Sequence, residues 1–460
     1  MDLLSLEVGT HLGKVKKLFV DFKTFENDIL SYEAYMNDFS EKLFKEFDLT
    51  AKKLKLSKKI DDLLNGEKVN LSEDQSAIHS QVRNLKKHYP KSMDLIDSRI
   101  NSDWGWEIVV LGIGGSFEGT KLLTECFNIN LNKRDVGSTN ETPRDPIFIT
   151  GSDPEEIKFK LNNFDLIKEK TFFFVVSKSF TTDETLESLK YALEWSGDPK
   201  NFAAITANPK AAEQYNFLKI IELEPEIGGR YSIWSCASYP ANIKMGDSAF
   251  ESFLEGGARA DKDLVKDQDY LGFLKRLSFS DIWLNNVKSK KTRAVLSYSW
   301  RLRSFADYVQ QLEMESLGKQ PNKNSEFKAT GQIIFGGYGP TAQHSYFQLL
   351  HQGTQNICAD ILAVQEDPSS LAYAQAITQA KLLSSGADDL LKESEKINGD
   401  VPVNLFLLKK LDPFTLGYLI ATWEHRTFIT SVMLQINPFD QFGVSSGKIY
   451  TKKYLRENGA

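Results

Sequence analysis

The densest chemistry in the sequence lies in six residues, Ser177-Lys178-Ser179-Phe180-Thr181-Thr182. Four hydroxyls and one ammonium sit just after an apolar run and just before a helix-favouring one. A dianionic phosphate could take hydroxyl donors, main-chain N–H groups and the Lys178 point charge at once. Thr181 and Glu184 also have capping-box spacing, so a hydroxyl-rich helix cap competes, although five donors exceed what a cap needs. A second loop, Leu111-Gly112-Ile113-Gly114-Gly115-Ser116, has the glycines that let backbone approach an anion. Phe117 stands where a dinucleotide fingerprint needs its third glycine, which removes that reading and leaves a plain tight turn open. In Gly443-Val444-Ser445-Ser446-Gly447-Lys448 the glycines are one residue too close for a nucleotide phosphate loop, and Ile449 replaces the Ser or Thr it requires. ATP is not implied.

Groups that could move protons are more scattered. Glu313 and Glu315 end a helical pattern, Gln310 to Lys319, and a spacing of two points them to different sides, so at most one serves a given site. A solvated surface glutamate is the alternative for either. Arg230 follows Gly228-Gly229, where its planar fork could reach a pocket; a surface turn is the alternative. Gln343-His344 is expected to open a helix that reaches His351. Those histidines would stand about 10 Å apart along its axis, too far to share a metal that binds at about 2 Å. Glu424-His425 are adjacent and poor joint ligands. No metal and no cofactor is expected.

These loops need a scaffold. Ile108 to Leu111, Ile147 to Thr150, Phe172 to Val176, Phe202 to Thr206 and Ile220 to Leu223 read as buried strands alternating with helical spacing. A helical stretch near residues 250–290 separates them from a second series: Ala294 to Tyr298, Gln332 to Phe335, Ile357 to Val364 and Val403 to Leu408. Pro413 to Leu434 reads as one long helix with proline in its first turn. Continuous apolar strands alternating with helices predict parallel sheets covered on both faces. Ligands then bind at the carboxyl ends of the strands, where the glycine and hydroxyl loops stand.

At 460 residues the chain is too long for one ordinary core, so two α/β domains are expected, and residues 1 to about 100 read as polar and helix-favouring. The net charge of −6 and the lack of a basic block beyond the leucine-interleaved run Lys52 to Lys59 argue against nucleic acid as a partner. That run reads as a solvated helix face. Cys126, Cys236 and Cys358 are odd in number and far apart, which suits a reducing compartment, and Cys236 reads as a small core residue. The start Met1-Asp2-Leu3-Leu4 lacks the pattern of a signal peptide, and no apolar run approaches the roughly 18 residues that span a bilayer. A cytoplasmic location and no membrane partner are expected.

Taken together, the motifs resemble the phosphoglucose isomerase family, in its compact bacterial form, over roughly residues 70–450. The anchors are GIGGS (112–116), SKSFTTDET (177–185), GGRYSIWS (228–235), QQLEMESLGK (310–319), GQIIFGG with QHSYFQLLHQGT (331–354) and FDQFGVSSGK (439–448). The resemblance implies two sugar-isomerase-type (SIS), flavodoxin-like domains with parallel sheets. It suggests an N-terminal helical segment at 1–100 packing on the second domain, a first domain at 101–255, a second at 256–435 and a C-terminal segment at 436–460. It implies interconversion of glucose 6-phosphate and fructose 6-phosphate without a metal. Ser177, Lys178, Ser179, Thr181 and Thr182 resemble the phosphate-binding loop, with Gly115 and Ser116 also touching substrate. Glu315 matches the general base, Arg230 the cation that steadies the enediolate, and Gln311 a sugar contact. His344 and Lys448 match the ring-opening groups, with His344 reaching the neighbouring subunit's site in a homodimer. Ser179, Asp183, Gly151-Ser152-Asp153 and Pro225 depart from the usual Thr, Gln, Asn-Val-Asp and acid. The alternatives are a dual-specificity phosphoglucose/phosphomannose isomerase and a non-catalytic sugar-phosphate-binding SIS module.

Overall fold

The computed structural model describes residues 5–6, 18–19, 23–36, 39–84, 106–127, 145–387 and 392–458. Residues 1–4 and 85–100, on which part of the N-terminal reading rests, lie outside that set.

The first hundred residues differ from expectation. Helices do form, at Glu41–Lys53, Leu56–Leu64 and His79–Asn84, and the lysines flanking the first junction are mostly exposed. Four strands precede them: the antiparallel pair β1 (Ser5–Leu6) and β2 (Leu18–Phe19), then β3 (Lys23–Glu26) and β4 (Leu30–Tyr35). β3 and β4 form a hairpin whose turn is closed by Asn27, which accepts the N–H groups of Ile29 and Leu30 at 2.9 Å each. The helical expectation fails here for a tertiary reason. The run Leu30–Tyr35 is short and interrupted by Ser31 and Glu33, and becomes a strand by pairing with a sheet edge.

The first sheet contains β5 (Glu107–Leu111), β6 (Ile147–Ile149), β7 (Thr171–Val176), β8 (Phe202–Thr206) and β9 (Lys219–Glu222). All neighbours are parallel, in the order β6-β5-β7-β8-β9. Relabelled from its own start, this is the 2-1-3-4-5 order of flavodoxin-like sheets, with the order reversing between β5 and β7. Alternate residues feed opposite cores: Phe173 and Val175 lie in one buried cluster, Phe172, Phe174 and Val176 in another. A strand buried on both faces carries no polar alternation, which is why it reads as a continuous apolar run.

The second sheet follows the order β11-β10-β12-β13-β4-β3, built from β10 (Thr292–Ser297), β11 (Ile333–Tyr338), β12 (Ile357–Val364) and β13 (Val403–Leu408). Its four later strands are parallel, and the N-terminal hairpin joins antiparallel at β13. β11 runs past the expected Phe335 through Gly336, where a Cβ would meet the Val295 carbonyl oxygen at 1.9 Å. The fold is therefore α/β with parallel sheets, and the second is mixed at one edge.

Between the sheets stand helices Asp247–Lys266 and Gln268–Asn286, and the expected division at 255/256 falls inside the first of them. The helix Pro413–Leu434 matches its expected span, is buried from Thr415 to Leu434, and is capped by Asp412 accepting from the Thr415 N–H at 2.8 Å. It lies against Asp247–Lys266 so closely that a Cβ at Gly417 would sit 2.0 Å from the Phe253 oxygen. The helix Phe305–Leu317, which follows β10 and carries Glu315, packs against Pro413–Leu434 and β11.

Candidate active site

Arg230 sits in the 3-10 turn Gly229–Trp234 and is buried. Every donor position of its guanidinium is engaged. Nε donates to Ser316 Oγ at 2.9 Å; Nη1 donates to Glu315 Oε2 at 2.9 Å and Gln441 Oε1 at 2.7 Å; Nη2 donates to the carbonyls of Pro438 at 2.7 Å and Asp440 at 2.8 Å. Glu315 and Ser316 close the helix Phe305–Leu317, and Gln311, one turn earlier, donates to Glu315 Oε1 at 3.4 Å. The Glu315 side chain keeps 32% of its exposure, whereas Glu313 keeps 6% and pairs with Arg293 on the other side of the helix. Of the two glutamates, then, one faces the site.

Glu315 and Gln311 open on a cavity of about 1050 Å³ that is also lined by Gly114, Lys319, Asp440 and Gln441. Lys319 pairs with Asp440 Oδ1 at 3.0 Å, and burial pulls its ammonium below the usual lysine range. The glycine loop closes one side. Gly114 has φ +59°, and a Cβ at Gly115 would lie 2.1 Å from the Gly229 carbonyl, so the two turns meet backbone to backbone. Ser232 Oγ donates to the Gly115 oxygen at 3.0 Å. Ser116 ends the adjoining 3-10 turn and is partly buried.

The hydroxyl loop follows β7 and the glycine loop follows β5, so they flank the point where the strand order reverses. Phe180 adopts φ +52° and is buried against Tyr215 and Phe217, which leaves Ser179 and Thr181 exposed on either side of it. Thr181 Oγ1 donates to Ser179 Oγ at 2.8 Å, and Ser177 Oγ to Thr182 Oγ1 at 3.4 Å. The capping box does not form. The helix Asp183–Ser196 starts from Thr182 without a side-chain cap, so its first N–H groups stay open toward an anion. Burial lowers the Lys178 pKa; Glu73 and Glu226 oppose that shift and Arg230 adds to it, so the loop and the arginine share one electrostatic environment.

Two expected groups stand apart. His344 is exposed, in a turn between the short helices Gly339–Ala342 and Phe347–Gln352 rather than in a continuous helix. Lys448 lies on the exposed helix Ser445–Glu457. Neither lines the cavity, and nor do Arg230, Gly115, Ser116 or the turn Ser177 to Thr182; of the expected groups Glu315 and Gln311 line it. Conversely, sequence reasoning missed Gln441 and Lys319, although both lie inside quoted motifs. It also missed the N-terminal approach, where Ser72 donates to Asp440 Oδ2 at 2.6 Å. Cys236 is partly buried against the core. Among the described residues, no group of three His, Cys, Asp or Glu is placed to hold a metal, and no helix is long and apolar enough to cross a membrane.

The chain is 33% identical over 431 residues to a glucose-6-phosphate isomerase of Legionella pneumophila (strain Paris), covering 86% of this chain and 83% of that one. It is 30% identical over 496 residues to the corresponding protein of Wigglesworthia glossinidia brevipalpis, covering 96% and 88%. The crystal structure of a glucose-6-phosphate isomerase from Chlamydia trachomatis shares the fold with a TM-score of 0.79 at 24% identity, over 94% of this chain and 90% of that one. A family profile described as phosphoglucose isomerase covers residues 105–459. The chain belongs to the phosphoglucose isomerase family.

Proposed function

We propose that this chain interconverts glucose 6-phosphate and fructose 6-phosphate in the cytoplasm, within glycolysis and gluconeogenesis, with Glu315 as the proton carrier. The turn Ser177 to Thr182, with Gly115 and Ser116, anchors the phosphate. That anchoring makes no bond and breaks none; its binding energy positions the open-chain sugar. Glu315 removes the C2 proton of the aldose and returns it to C1 of the enediol, while Gln311 orients the sugar hydroxyls. Arg230 places a fixed positive charge where the enediolate develops.

One observation carries the reading: a partly exposed carboxylate that lines a cavity of about 1050 Å³ and touches a buried guanidinium at 2.9 Å. When Glu315 takes the proton it loses its charge, and Arg230 is released toward the enediolate at the moment negative charge appears there. Ring opening is assigned to His344 and Lys448, with His344 supplied by the second subunit of a homodimer. Its exposure, and its absence from this chain's own cavity lining, support that supply. A coupled assay with fructose 6-phosphate as sole substrate tests the proposal, and absence of glucose 6-phosphate formation by pure, folded protein would sink it. Activity should survive dialysis against EDTA; reversible loss would overturn the metal-free mechanism.

A further inference from the structure

Arg230 is held by groups that line the cavity and by a second set that does not. Behind it, the Ser316 hydroxyl accepts the Nε–H and stands 2.9 Å from the Tyr231 hydroxyl. Tyr231 is stacked on His79, with ring centroids 4.6 Å apart, and burial holds that imidazole well below its ordinary pKa. Ser316, Tyr231 and His79 are all buried, and none lines the cavity. Ser316 directly follows Glu315 on its helix, and Tyr231 directly follows Arg230 in its turn. The Ser316–Tyr231 hydrogen bond therefore fastens the segment that carries the base to the segment that carries the cation.

We propose that Ser316 and Tyr231 are positioning residues, which hold the Arg230 guanidinium with its Nη1 corner toward Glu315 and the reacting carbons. The inference rests on the reading of Glu315 and Arg230 as base and cation. A guanidinium has five donors in a rigid plane, so the acceptor at Nε selects which edge faces the sugar. Without Ser316 Oγ the Nε–H is left buried and unpaired, and the plane, still held at Nη1 and Nη2, loses the one acceptor that fixes its Nε edge. The phosphate is bound elsewhere, in the hydroxyl turn, so substrate binding should hardly notice. Misplacement at the reacting centre lowers turnover instead.

The test is steady-state kinetics of the full chain with fructose 6-phosphate. Ser316→Ala should lower kcat by about 10- to 100-fold, with KM within about two-fold. Tyr231→Phe, which removes one oxygen and keeps the ring stack, should lower kcat less and in the same sense. In an Arg230→Ala background, Ser316→Ala should cause no further loss, because the group it orients is gone. Unchanged kcat in Ser316→Ala, or an equal loss with and without Arg230, overturns the proposal. If Ser316→Ala does not fold, unchanged kcat in Tyr231→Phe overturns it alone. Wild-type protein without isomerase activity, or a fully active Glu315→Gln, would instead remove the underlying reading, and both are measured in the same series.

Discussion

On one side of the helix Phe305–Leu317, Glu313 meets Arg293; on the other, two residues later, Glu315 meets Arg230. The first pair belongs to a sealed cluster. Arg293 is also paired with Asp281 at 2.8 Å and Asp360 at 3.3 Å, and Arg426 binds Asp281 through two nitrogens at 2.7 and 2.8 Å and Asp360 at 2.7 Å. Trp423 donates to the remaining Glu313 oxygen at 3.0 Å. Two cations face three acids, and burial raises the Glu313 pKa. The second pair is differently balanced. Arg230 meets one carboxylate, and its other partners are an amide, a hydroxyl and two carbonyls. A cluster whose cations are fully matched by acids holds elements together. One whose cation keeps a single, removable counter-charge can lend that charge to a reaction.

The sharpest way to break this comparison is to neutralise each glutamate in turn. Glu315→Gln should lower kcat by about 10²–10⁴ with the unfolding midpoint unchanged, as for loss of a positioned base. Near-normal turnover in the folded variant would refute the assignment. Glu313→Ala should do the reverse, costing about 3–5 kcal/mol of stability because Arg293 is left buried with an incomplete set of partners. Turnover per folded molecule should change far less. Urea titration beside kinetics separates the two, and a Glu313→Ala protein of normal stability and lost turnover would invert the comparison.

A third buried cluster sharpens it through pH. Burial pushes the Glu424 carboxyl from 4.5 up to about 7, against Arg83 and the Trp234 N–H. Between about pH 4.5 and 7 the native chain keeps a proton that the unfolded chain has released. Stability should therefore fall as pH rises through that window, by roughly 3 kcal/mol. Asp261 works in the opposite sense: despite burial, Arg83 and His425 hold its pKa below the usual carboxylate value, and its contribution is lost as pH falls through that lowered pKa. Unfolding midpoints of Glu424→Gln at pH 5 and pH 8 should lie closer together than those of wild type, and an unaltered slope would count against the assignment. The smallest effect is expected at Lys452, which meets Asp183 at 3.3 Å with both side chains about half exposed. Lys452→Ala should leave the unfolding midpoint unmoved and KM within about two-fold, because exposed pairs contribute little. A large rise in KM would assign the ammonium to the anion site.

Much of this was legible in the sequence. Strands such as Phe202–Thr206 and Val403–Leu408 are apolar throughout, and burial on both faces leaves no other pattern. Arg230 follows two glycines and Glu315 ends a helical pattern, but their roles, and Gln311 altogether, are expected only from the family resemblance. The expected β11 stops short because Gly336 and Gly337 carry no strand signal, although the missing Cβ of Gly336 is what lets the strand pass β10. The β3–β4 hairpin escaped because its partner, β13, lies nearly four hundred residues away. Gln441 has no local oddity; only the folded chain brings it to Arg230. The cavity lining includes neither His344 and Lys448 nor the hydroxyl turn, and the roles of all of them stay with the proposal.

Backbone pressed on backbone at Gly115 and Gly229 leaves no slack between the loop after β5 and the turn that carries Arg230. The two turns therefore move as one piece, and a side chain added at Gly115 would part them and shift the guanidinium that the second turn holds.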